Sequence, residues 1–123
     1  MTPEQILKNN KMIAIFMCEE VKNGMIVNAN NLFGANTHTL QPMQYDSDWS
    51  YLMSVVDSIE NKGFEVIIRR PISGYPLCEI LNKSLDFWCS TSKKSKIDVV
   101  YETCVKFIKW YNNDQKTKGN IIN

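Results

Sequence analysis

SDWSYLMSVVDSIENKGFEVIIRRP, running from Ser47 to Pro71, changes its period once, at Gly63. Before the glycine, Trp49, Leu52, Met53, Val56 and Ile59 recur at spacings of three and four. That interval gathers side chains on one face of a helix, with Asp57 and Glu60 off the stripe. Ser47 offers a hydroxyl to cap the first turn. Gly63 supplies the left-handed residue that commonly closes a helix. From Phe64 to Arg70 the chain alternates and is rich in β-branched residues, which predicts a strand stopped by Pro71. A helix handing over directly to a strand makes the chain mixed in class.

Downstream, Leu77 to Leu81 and Leu85 to Cys89 flank Asn82-Lys83-Ser84, the pattern of a β-hairpin. Pairing Asn82 with Leu85 sets Ile80 opposite Phe87 and Cys78 opposite Cys89, and collects these six on one side of the sheet. Ser95 then caps a helix carrying Ile97, Val100, Tyr101, Cys104, Val105, Ile108 and Tyr111, the strongest amphipathic stripe in the chain. Phe107 and Trp110 fall off its centre, at a flank or in solvent. Residues 113–123 read as a frayed polar tail.

Upstream, Thr2-Pro3-Glu4-Gln5 is a helix start with the makings of a capping box. Ile6, Leu7, Met12, Ile13, Phe16 and Met17 carry that helix to residue 18, with Asn9 and Asn10 as points of interruption. Residues 19–46 are crowded with Asn and Gly and read as mostly irregular, with Met25-Ile26-Val27 offering at most a short strand. The expectation is one α+β domain spanning 1–123: a small antiparallel sheet of about three strands with three helices packed on it, sandwich-like in layering.

Composition narrows function by exclusion. The chain has 123 residues, 44% hydrophobic and 22% charged, with a net charge of +1. That balance creates no field to recruit nucleic acid or an anionic membrane. Arg69 and Arg70 are the only arginines, so the forked donors that read bases and phosphates are scarce. The first residues lack the layout of an export signal, and no apolar run suits a membrane span, so the expected location is the cytoplasm. Cys18, Cys78, Cys89 and Cys104 are scattered without metal-ligand spacing, and reduced thiols are expected.

Three segments taken together resemble a known family. They are Ile13-Ala14-Ile15-Phe16-Met17, then Trp49 to Glu60 with Gly63-Phe64, and Val105-Lys106-Phe107-Ile108-Lys109-Trp110-Tyr111-Asn112. Their order and spacing are similar to the phage ABA-sandwich domain family, small proteins of phages and prophages with helices layered about a sheet. The resemblance covers most of the chain apart from residues 19–44. Ser54 stands where that family commonly has proline, and Asp46 where it has histidine. The resemblance implies a fold and a phage or prophage origin, and carries over no catalytic residue.

Candidate chemistry is thin. His38, the single histidine, has no nucleophile or carboxylate patterned around it and reads as a surface loop residue. Cys78 and Cys89, if opposite, read as small buried hydrophobes before they read as a redox pair. Trp88 and Trp110, off the apolar faces, are candidates for exposed binding aromatics. Lys93, Lys94 and Lys96 surround a helix start and could hold a phosphate there. The reading that follows is a non-enzymatic protein, without cofactor or metal, that binds a host or phage protein. The alternative is a nucleotide-like small-molecule binder. A dimer through Phe107 and Trp110 would suit their off-stripe positions.

Overall fold

A computed structural model of the chain describes residues 1–18, 20–22, 24–32, 35–72, 74–82, 88–92 and 95–122. Side chains are described for these except residues 20–22, 27–32, 35–40, 88–92 and 115–122. The order is α1 (Pro3–Phe16), β1 (Glu20–Lys22), β2 (Met25–Leu32), β3 (Ala35–Pro42), α2 (Trp49–Asn61), β4 (Glu65–Arg69), β5 (Leu77–Leu81), β6 (Trp88–Ser92) and α3 (Lys96–Ile122). The class is α+β. The described strands form two antiparallel three-stranded sheets, β1-β2-β3 and β4-β5-β6, in place of the one expected sheet of about three strands.

The first helix begins as its sequence dictates. The Thr2 hydroxyl accepts from the Gln5 amide at 3.1 Å, and the Thr2 amide donates to the Gln5 side chain at 2.9 Å. This closes a capping box with Pro3 at the first helical position. Asn9 and Asn10 do not interrupt the helix: both are buried within it, at 7% and 3% exposure. After Met17 the chain leaves through Cys18 at φ +60°.

The second helix starts one residue later than expected. Its cap is Asp48, whose carboxylate accepts from the Ser50 amide at 2.8 Å and hydroxyl at 2.6 Å. Ser47 sits in the preceding turn, its amide donating to the Gln44 carbonyl at 3.2 Å. The buried face is Leu52, Val55, Val56 and Ile59, while Trp49 and Met53 lie at its rim and are 40% and 38% exposed. Gly63 has φ +95° and closes the helix as expected, its amide donating to Glu60.

Residues 19–46 are the largest departure from the sequence reading. They hold β1, β2 and β3, with eight pairings from Met25↔Pro42 to Leu32↔Ala35. Asn disfavours strands only weakly, and a long cross-strand ladder overrides the preference. His38 accordingly lies within β3, opposite Ala29, instead of in a loop; its side chain is outside the described residues.

The β5–β6 hairpin forms, but in a different register. Ile80 pairs with Cys89 and Cys78 with Thr91, ending at Leu81↔Trp88. The expected opposition of Cys78 and Cys89 is therefore absent, and the turn placed at Lys83-Ser84 lies outside the described residues. The slip is two residues. Because alternation fixes only the parity of a strand, an even slip leaves Cys78 and Ile80 facing the core, where both are fully buried.

α3 is the central element. It packs on β5 and β6, and on both other helices, while α2 also meets β4 and α1 meets β1. Val99, Val100, Tyr101, Thr103, Cys104, Val105, Phe107 and Ile108 are all buried, far more than one stripe. This corrects the placement of Phe107, which has no exposed surface and centres an aromatic cluster. Phe64 meets it edge-on at 4.7 Å, Phe16 at 6.2 Å and Tyr111 stacks at 5.8 Å. The ammonium of Lys62 covers Phe16 and Tyr111 at 5.1 and 5.5 Å. The helix backbone continues to Ile122, through residues 113–122 of the stretch expected to be frayed.

Candidate functional site

The most developed polar arrangement links three separate elements inside the core. Tyr101 of α3 donates its hydroxyl to the Asn10 side-chain carbonyl at 2.8 Å. The Asn10 amide in turn donates to the Met43 carbonyl at 3.0 Å and to the Asp46 carboxylate at 2.9 Å. One carboxamide thus uses both ends to tie α1, α3 and the segment between β3 and α2. Burial, aided by the nearby Asp46 charge, raises the Tyr101 pKa well above the usual tyrosine value of 10.0. The phenol is therefore a held donor and not an available base.

Beside this knot lies a cavity of about 240 Å³ lined by Asp46, Asp98, Tyr101 and Glu102 with Met1 and Ile6. Its carboxylates give it a negative potential. Among the described residues no group of three or more His, Cys, Asp or Glu could hold a metal. On the other side of Glu102 a second, larger groove runs between α1 and α3.

Of the sequence-predicted binding residues, Trp110 and Lys96 have described side chains. Trp110 is partly buried against the core, 5.9 Å edge-on from Phe64 and 6.0 Å from Phe107. The off-stripe position misled because α3 is enclosed on several sides and has no single apolar face. With Phe107 fully buried, the expected dimer contact through that pair also loses its basis. Trp88 opens β6 opposite Leu81, and its side chain is outside the described residues, as are Lys93 and Lys94. Lys96 is exposed at the first position of α3.

Other residues stand out instead. The β4–β5 connection carries Ile72, wholly exposed, and Tyr75, 55% exposed, between Pro71 and the buried Pro76. Two neighbouring apolar residues in a turn region were the available signal. Asn10 was legible too, as a polar residue set among the apolar positions of the first helix. Asp46 is occupied as an acceptor for the Asn10 amide.

No protein-family model matches the chain, and no curated protein sequence matches it. A solved structure does: a phage protein from Bacillus cereus ATCC 14579, with a TM-score of 0.59 over 89% of each chain. The fold is shared with a phage protein. Identity between the two is 14%, which carries the architecture and none of the chemistry. No family-model match supports the ABA-sandwich name. Among the described residues no helix is long and apolar enough to cross a membrane.

Proposed function

We propose that this chain is a phage-encoded accessory protein that works by binding a protein of the host or of the phage, without catalysis. The fold shared with the Bacillus cereus phage protein supports the origin. The binding reading is carried by the β4–β5 tip, where Ile72 is fully exposed and Tyr75 more than half exposed. A lone exposed apolar residue is ordinary, but two anchors on a short loop between paired strands form a compact probe. β4 and β5 hold that loop through five pairings, reinforced by Arg69 donating to Glu79 at 2.5 Å. The neighbouring Arg70 is exposed. The partner that fits is a protein with an apolar cleft edged by carboxylates.

The test is comparative capture from phage-infected cells. A specific partner is retained by the wild type and by Lys106→Glu/Lys109→Glu, and lost on Ile72→Ser/Tyr75→Ser. Both tip side chains are solvent-facing, so the tip variant should fold with an unchanged melting temperature. Equal retention by the folded tip variant defeats the assignment to this loop.

A further inference from the structure

We infer that the groove between α1 and α3 is a binding site for a phosphate-bearing small molecule of about nucleotide size. The groove encloses about 520 Å³, within the range that small-ligand sites occupy. Its two walls follow from helical spacing. Gln5, Lys8 and Asn9 fall on one face of α1, and Glu102, Val105, Lys106 and Lys109 on one face of α3. Three ammonium groups from two helices thus converge against one carboxylate, in a chain whose overall charge is only +1. The lining thus carries a local excess of cations that the near-neutral balance of the chain does not show.

Asn9 gives the groove an observation independent of its lysines. The residue is 7% exposed, and its side-chain amide donates to the sulfur of Met1 at 3.3 Å. A thioether is a weak acceptor, so this nearly buried carboxamide in the groove lining has only a weak partner for its amide. A phosphate oxygen there would accept a much stronger, charge-assisted hydrogen bond. Val105, 3% exposed, lines the groove between Glu102 and the two lysines of α3. Lys8, Lys106 and Lys109 are exposed, so their flexible stems can close on the phosphate from both helices. Two arginines in the whole chain and a short groove fit a small organic phosphate better than a nucleic-acid strand.

Amide chemical-shift titration of the intact chain with AMP, inorganic phosphate and adenosine tests this. AMP and phosphate should shift the signals of residues 5–9 and 102–109 saturably, and adenosine should not. Lys106→Glu/Lys109→Glu should weaken AMP binding by about tenfold or more, the loss of one charged hydrogen bond. Asn9→Ala should weaken it as well, while melting temperatures report that each variant is folded. The proposal fails if AMP and phosphate leave this groove unshifted at concentrations of about 10 mM. It fails equally if the folded lysine variant responds like the wild type, or if only an acidic peptide perturbs the groove.

Discussion

At the scale of single residues, Cys18 is the clearest local conflict between sequence and backbone. It leaves α1 at φ +60°, its amide donating to Ile15 at 3.0 Å, where glycine is the usual occupant. An L-residue there is strained by about 1–2 kcal/mol, partly offset by the extra chain entropy that glycine would lose on folding, about 0.5–1 kcal/mol. Cys18→Gly should therefore stabilise the protein by roughly 0.5–1 kcal/mol, the balance of those two effects. A higher denaturant midpoint with an unchanged slope would establish it. A lower midpoint would mean that the cysteine side chain contributes more than its strain costs.

At the scale of elements, the α2 start separates two readings of one segment. Asp48→Ala should lower the melting temperature and Ser47→Ala should leave it almost unchanged, because the Ser50 amide bonds to Asp48. Asp48→Asn should keep most of the cap, since asparagine caps nearly as well. The Ser50 hydroxyl and amide hold the Asp48 carboxyl below its usual pKa of 3.8. That contribution is present above pH 3.8 and is lost as the pH falls through the lowered native value. In α3, Phe107→Ala should cost about 3–5 kcal/mol, as for a buried aromatic truncated to a cavity, and Trp110→Ala distinctly less. Equal losses in chemical denaturation would contradict the burial difference. These elements also mark what sequence could tell. Periodicity located α1, α2, β4, β5 and α3, since each has an apolar rhythm of its own. It could not distinguish Ser47 from Asp48 as the cap, because both are capping residues one position apart. It reached only the first three residues of β2 and missed β3, whose strand character comes from pairing with β2, and it fixed the parity of β6 without its register. The groove was unreadable for a related reason: Lys8 and Lys106 are nearly a chain length apart, and only the packing of α1 on α3 makes them neighbours.

At the scale of the whole molecule, the Tyr101–Asn10–Asp46 knot joins α1, α3 and the segment between β3 and α2. It should set how the fold responds to alkali. The native Tyr101 phenol keeps its proton above the usual value of 10.0, first because it is desolvated and then because Asp46 is nearby. In the unfolded chain the same phenol ionises near that usual value. Below pH 10 both states hold the proton, and the stabilising contribution is complete. As pH rises beyond 10 the unfolded state loses its proton while the native state does not, so stability falls until the raised native value is reached. Tyr101→Phe removes this dependence, but it also leaves the buried Asn10 carbonyl without its donor, at about 1–3 kcal/mol. The variant should be less stable than wild type at neutral pH, and the gap should narrow above pH 10. Other tyrosines and the lysines titrate in the same range, so the difference between the two proteins is the quantity to follow. Urea denaturation of both from pH 7 to 11.5 measures it. A gap that stays constant across that range would show that Tyr101 ionises as readily in the fold as outside it, and that the knot is open to water.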